Sequence, residues 1–523
     1  MMRKPHLVLL VAALLVGGTL RINGIAWGLP DGVHANYSYH PDEAFLLQWA
    51  ADLYQGKIVS KQFIYGGTFY ASTLEAARHV ADAMTVDRQA TLRDRILVAR
   101  GASALFALLA ILTTYFAGAT LFGCMSGAWA AVVMALAPGH IIAAQIARPD
   151  SLFTLLLCLN LLFAARLVRG CSSVRWNLIG AAVVLGVAVA TRFPAALWWL
   201  GHVGALVMAA RTSALRGRVL LRSVAQLSAI AGLTYLIASP QSVMYFPALI
   251  DGLNVQFAYQ RGASVEQLTS GVGGWRYGGS IMAEALGYGF YLPALAAIAL
   301  AAWRRTRADV LVALFVVPYF LALTTTHWVV VRYFVPLLPL LAIWIGGLIQ
   351  RSVTAHGLQR TLAIALCIGA VTVNALASAI YTAAVRTPDT RDQALRWLLT
   401  HAAPATHIGV LQAYDGDVYF HPPAISHFNW SACVLSSCDL AQFFSGPAQL
   451  LVIADNYLDE VTIDGRRSQV ASALAAQTTY EPIARFAPSL IWHGYDVTPQ
   501  FRAPDVRDAL TGLTIFRRRA TAP

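Results

Sequence analysis

The sequence predicts a mainly α-helical fold, a polytopic bundle of transmembrane helices with loops and a small soluble α/β domain on one side of the membrane. Three observations carry that expectation. Of 523 residues, 57% are hydrophobic and only 12% charged, where a soluble domain carries about a quarter charged residues. The apolar residues gather in runs near the roughly 20 residues that a span requires. The basic residues fall in the short gaps between those runs, as topology signals do. A charged side chain costs roughly 2.5–3.5 kcal/mol at the centre of a span on insertion scales, so spans exclude it. The same placement argues against reading the net charge of +12 as a nucleic-acid interface.

In chain order the runs are roughly 6–27, 95–121, 127–146, 150–168, 177–191, 194–210, 223–240, 282–302, 309–326, 328–350 and 361–384, about eleven spans. The fifth and sixth are short and divide at Thr191–Pro194. Arg3 and Lys4 precede the first run and place the N-terminus inside. The alternative is a cleaved signal peptide, but no small-residue cleavage site follows the apolar core cleanly. Threading the chain from that start puts Arg166, Arg169 and Arg175 inside, then Arg211, Arg216, Arg218 and Arg222, then Arg304, Arg305 and Arg307, then Arg351 and Arg360. An odd number of spans then leaves three segments outside: the loop 28–94, the glycine-rich loop 241–281 and the tail 385–523. The chain thus divides into a membrane domain, 1–384, and an extracytoplasmic C-terminal domain, 385–523. That tail mixes helical stretches such as Thr390–Thr400 with β-branched runs such as Leu450–Ile453. Its Cys433 and Cys438 either pair, as an oxidising compartment would favour, or remain free thiols.

Chemistry concentrates on the expected outer side. Asp42 and Glu43 follow His40-Pro41 and open a helical pattern. A helix start favours negative charge, so Asp42 is either a cap or a reactive carboxylate. Arg148 and Asp150 sit at the outward turn between the third and fourth spans, where a charge needs a partner or a use. They form an ion pair, cap the fourth span or, with Asp42, line one cavity. Positive groups share that side: Lys57 and Lys61 in the first loop, Arg192 at the break after the fifth span, and Arg332-Tyr333 at the start of the tenth. The arginines either bind an anionic phosphate or snorkel to headgroups. These parts suit sugar transfer outside the cytoplasm, where nucleotide sugars are absent. A polyprenyl-phosphate sugar supplies the donor, a carboxylate takes the proton of the acceptor hydroxyl, and a cation stabilises the leaving phosphate.

Four stretches, RINGIAWGLP…YHPDEAF, ARPDSLFTLLL, ATRFPAALWWL and HWVVVRYFVPLLPLLA, spread over about residues 20–350, resemble the membrane glycosyltransferases of the C superfamily. The likeness is to bacterial relatives of protein O-mannosyltransferases and of the lipid A aminoarabinose transferase. The resemblance implies that Asp42 is the catalytic base of an Asp-Glu motif, that Glu43 orients it, and that Asp150 is the second acidic position. Lys61 falls near a phosphate-binding lysine of those relatives, without their flanking Pro-Pro pattern, and Arg332 falls in a shared RY…P…P pattern. The opening of the tail, RTPDTRDQALRWLLTHAAPATHIGVL, resembles the segment after their last span. It also implies a bacterial inner membrane, a protein, lipid or glycan acceptor, and no certain cofactor. Some members use a divalent metal, for which His34 and His40 with Asp42 are the candidate ligands. Two other readings remain: a transporter or flippase of lipid-linked sugars, though matched halves with interrupted helices are not seen, and an accessory assembly protein.

Overall fold

A computed structural model describes residues 4–31, 38–57, 63–85, 89–170, 173–211, 217–260, 274–326, 330–412, 428–434, 438–455 and 470–519, apart from 471, 475, 477–478 and 502–509. Among these, nine helices are long and apolar enough to cross a membrane: Pro5–Ile22, Leu92–Phe122, Asp150–Arg169, Val174–Thr191, Phe193–Ala210, Arg218–Ala238, Arg307–Thr324, Val331–Val353 and Gly357–Ala384. Two bent pairs, Cys124–Leu136 with Pro138–Ala144 and Ser280–Leu286 with Tyr288–Arg304, bring the number to eleven when each pair counts as one span. Numbered in chain order, these spans coincide with the eleven apolar runs, and the chain is an integral membrane protein. The break between the fifth and sixth is a single extended residue, Arg192 (φ −151°, ψ 127°). Between the first and second spans lie two shorter helices, Pro41–Tyr54 and Phe69–Met84.

Each bend has a local cause and a remote remedy. Pro138 has no N–H to give to the carbonyl of Met134, so the third span breaks there, by 64°. Arg21, fully buried near the end of the first span, supplies what the proline withholds: it donates to the carbonyls of Met134 (2.9 Å) and Ala135 (3.1 Å). The eighth span turns by 115° at Gly287, whose φ of +84° suits a residue without Cβ. Asn374 of the eleventh span binds both sides of that break, donating to the carbonyl of Leu286 and accepting from the N–H of Gly289 (3.0 Å). Neighbouring Ser378 donates to the carbonyl of Leu136 at the first bend (3.1 Å). In hydrocarbon no water can satisfy such carbonyls, so protein groups must. The bent arms then pack closely: a Cβ on Gly139 would lie 2.9 Å from the Cα of Ala285.

The tail builds a five-stranded sheet from β1 (His407–Gln412), β2 (Asn429–Val434), β3 (Leu450–Ala454), β4 (Tyr480–Phe486) and β7 (Leu513–Arg518), in the order β2-β1-β3-β7-β4. A separate ribbon pairs β5 (Ile491–Trp492) with β6 (Tyr495–Asp496). β1 runs parallel to β2 and β3, and β7 is antiparallel to β3 and β4. β3 reads LLVIA and is buried throughout, as a central strand covered on both faces requires. Cys433 and Cys438 are joined in a disulfide. The sheet has its own core around Leu398, Val410, Val452 and Ile515. A second set, Leu490, Val497, Phe501 and Leu510, joins the core of the membrane bundle instead, with Phe501 stacked on Tyr381 at 5.2 Å.

Candidate active site

The helix Pro41–Tyr54 begins with proline at its first position, where the missing N–H costs nothing. His40 is its cap: the backbone is extended (φ −94°, ψ 118°) and Nδ1 accepts the N–H of Asp42 at 3.3 Å. With that role taken by His40, the Asp42 carboxylate is not a cap. It turns to Arg148, 3.1 Å away, and to Arg332, 3.9 Å away. Asp42 remains 34% exposed while Arg148 is 5% exposed, so the carboxylate faces an opening and the guanidinium behind it does not.

Asp150 is the first residue of the fourth span and lies against Arg148 (3.4 Å) and Arg192 (3.0 Å). Asp42, Arg148, Asp150 and Arg192 therefore form a row of alternating charge. Three guanidiniums, with Arg332, face two carboxylates, which leaves one net positive charge. Arg192 is buried rather than snorkelling. Its guanidinium lies over the rings of Tyr65 (5.2 Å), Phe153 (5.8 Å) and Tyr333 (5.9 Å), and its Nε and Nη2 make no hydrogen bond among the described residues. The Nε of Arg148 likewise stands at ion-pair distance from Asp150 without the alignment of a hydrogen bond. Arg332 lies over Tyr333 at 5.5 Å. A pocket opens among these groups, lined by His40, Ile142, Arg148, Asp150, Val331 and Arg332.

Glu43 is differently placed. It is fully buried and takes four hydrogen bonds: two from Arg100 (2.7 and 2.6 Å), one from the Ser38 hydroxyl (2.8 Å) and one from the Ala147 N–H (2.8 Å). Arg100 also donates to the carbonyls of Ile25 (2.8 Å) and Trp27. The pair ties three segments together, the turn after the first span, the Asp-Glu helix and the Ala147–Asp150 turn. Sequence reading missed Arg100. Its signal was present: a charge within an apolar run, where a partner is required.

No protein-family model matches the sequence, and no curated protein matches it. Solved structures do. ArnT from Cupriavidus metallidurans, bound to undecaprenyl phosphate, aligns over 98% of each chain with 15% identity and a TM-score of 0.51. The oligosaccharyltransferase of Archaeoglobus fulgidus, tethered to an acceptor peptide containing the NVT sequon, aligns over 97% of this chain and 78% of its own, with 13% identity and a TM-score of 0.50. The fold is that of the C-superfamily (GT-C) membrane glycosyltransferases. The resemblance read from the motifs thus holds for the fold, and at such identity the chemistry must be argued from this chain's own side chains.

In this site the charges set one another. Burial acts to raise the Asp42 carboxyl, but Arg148, then Arg332, His40 and Arg192, outweigh it and hold Asp42 well below the usual carboxylate range. Burial opposes ionisation of Glu43 too, and is overcome by the charge and hydrogen bonds of Arg100. The His40 imidazole is pushed down to about 4, chiefly by burial, with Asp42 acting in the other direction. His40 is thus neutral and able to accept the Asp42 N–H. Lys61 and His34 lie outside the described residues. Among the described residues no group of three or more His, Cys, Asp or Glu gathers to hold a metal ion.

Proposed function

We propose that the chain transfers a sugar from a polyprenyl-phosphate carrier to an acceptor hydroxyl on the extracytoplasmic face of a bacterial inner membrane. The observation that carries this reading is the row Asp42–Arg148–Asp150–Arg192, with Arg332 beside it, at one end of a membrane bundle. Asp42 is the exposed acid of that row and acts as general base. Arg332, Arg148 and Arg192 take the donor phosphate, with Lys61 as a further candidate. Tyr333 backs two of the guanidiniums, and Asp150 holds Arg148 and Arg192 in place. That ArnT was solved with undecaprenyl phosphate and the oligosaccharyltransferase with an acceptor peptide supports a lipid-phosphate donor and makes a peptide one candidate acceptor.

In the transfer, the acceptor O–H gives its proton to Asp42 and its oxygen bonds the anomeric carbon. The bond from that carbon to the phosphate oxygen breaks, and polyprenyl phosphate leaves with one more negative charge. The arginines face that developing charge. They also regulate the base. In the empty site Arg148 and Arg332 depress the proton affinity of Asp42, and a depressed carboxylate is a weak base. An anionic phosphate that draws those guanidiniums away raises the affinity of Asp42 for a proton only when donor is present.

Purified wild type and Asp42→Asn, given a panel of polyprenyl-phosphate sugars with a cell-envelope extract as acceptor, decide the matter. Wild type releases free polyprenyl phosphate, measured by mass spectrometry, and the variant does so at least about a hundredfold more slowly. Folded wild type that releases none from any donor would favour a transporter of lipid-linked sugars.

A further inference from the structure

The Asp42 segment is held from two sides, and the second hold comes from the tail. Below, Arg100 binds the carbonyl of Trp27 and lies 5.7 Å from its ring. Above, the Trp27 indole N–H donates to Asp389 (2.9 Å), and the Tyr39 hydroxyl donates to Asp392 (2.5 Å). Between these contacts sits Arg391, 1% exposed. Its guanidinium is bound to Asp389 (2.7 and 2.8 Å) and lies 4.0 Å from the Tyr39 ring and 5.6 Å from that of Trp27. Asp389 also caps the helix Thr390–His401 by accepting the N–H of Arg391 (2.9 Å). Thr390 donates to the carbonyl of Thr511, two residues before β7. The knot is therefore fixed to the frame of the tail. On the other side, Tyr39 donates its N–H to the Gly28 carbonyl (3.0 Å), closing the loop ends, and the next residue, His40, caps the helix that carries Asp42.

We propose that Asp389, Arg391 and Asp392, with Trp27 and Tyr39, are positioning residues for Asp42. The start of the C-terminal domain holds the segment that delivers the base, so the tail is part of the reaction centre and not an acceptor module alone. The inference rests on Asp42 being the base. The geometry gives the reason: the Tyr39 contact lies three residues from Asp42, and a displacement of about 1 Å at a reacting group can cost a hundredfold in rate.

Two variants test it. Tyr39→Phe removes one hydroxyl and keeps the ring beneath Arg391, and Asp392→Ala removes its acceptor. Amide hydrogen exchange of the full-length protein in detergent reads residues 38–46, with β1 and β3 as internal reference. Each variant speeds exchange in 38–46 by about threefold to tenfold, the range one hydrogen bond gives, and leaves β1 and β3 unchanged. The double variant is no faster than the faster single one, because both changes remove the same bond. In turnover assays Tyr39→Phe lowers kcat by about threefold to tenfold with donor KM unchanged. Unchanged exchange in 38–46 overturns the proposal. So does loosening of β1 and β3 to the same degree, which means that the knot serves only the tail's own fold. So does a rise in acceptor KM at wild-type kcat. If wild type turns over no lipid-linked sugar, the proposed function fails while the exchange result still decides whether the clamp exists.

Discussion

Glu43 has no exposed surface and four hydrogen bonds, whereas Asp42 beside it is a third exposed and shares its two cations with other groups. Substitution should therefore separate the neighbours. Glu43→Gln leaves the Arg100 cation buried without its counter-charge, and breaking a buried pair in this way costs about 3–5 kcal/mol. A large fall in unfolding temperature is expected, together with loss of activity. Asp42→Asn also takes a counter-charge from Arg148 but leaves that guanidinium beside Asp150. It should therefore cost clearly less stability than Glu43→Gln while losing turnover, and a comparable loss of stability in both would mean that Asp42 is structural. His40 adds a pH effect of definite sign. Its folded value of about 4 lies below the unfolded reference near 6.5, so the unfolded chain binds the proton more tightly. The stability contributed by the neutral imidazole is fully present above about pH 6.5 and is lost as pH falls toward about 4, about 3 kcal/mol in all. Melting in detergent across that window should show the slope, and His40→Asn should flatten it. The control of Asp42 by the arginines gives a kinetic counterpart. The acid limb of kcat, which reports the donor complex, should lie at higher pH than the acid limb of kcat/KM, which reports the free enzyme. Coincident limbs would mean that the donor phosphate does not engage Arg148 and Arg332.

At the scale of elements, run length and apolarity alone locate eleven spans, because a bilayer imposes both. The bends within the third and eighth were hidden, since a kinked apolar run has the same composition as a straight one. Pro138 and Gly287 were the residues to read. Arg21 was equally unread, although an arginine in the run 6–27 had to find partners. The candidate site was legible as a set of charges on one side, because each charge ends or interrupts a run. What was not legible was the pairing: that His40 takes the cap and frees Asp42, that Glu43 belongs to Arg100, and that Asp389 and Asp392 reach Trp27 and Tyr39 across more than 350 positions. Pairings of that range depend on tertiary packing that no local pattern encodes. The Arg21 interpretation can be tested by a cycle. Arg21→Met strands the carbonyl of Met134 and should destabilise the protein by about 1–3 kcal/mol. Pro138→Ala restores an N–H for that same carbonyl, so the double variant should regain part of the loss. Additive losses would mean that Arg21 does not serve the bend.

For the whole molecule, the fourth, sixth and tenth spans each begin at the site, beside Asp150, Arg192 and Arg332, and end at Arg169, Arg211 and Arg351. A helix of about 20 residues covers the roughly 30 Å of a bilayer core, so helices that span it would hold the site and these basic ends on opposite sides of the membrane. The excess of arginine is expected to mark the cytoplasmic side, and on that expectation the proposed site and the tail face outward. A Cys433–Cys438 disulfide in that tail is consistent with the same expectation, because disulfides persist in oxidising compartments. The expected outcome in intact cells is specific. In a background lacking the native cysteines, a membrane-impermeant maleimide should modify Ser445→Cys, at the exposed end of the tail helix Leu440–Ser445, and should spare Arg305→Cys until the cells are opened. The reverse pattern would put the row of charges in the cytoplasm, where nucleotide sugars are at hand and a lipid-linked donor would no longer be the only sugar source within reach of Asp42.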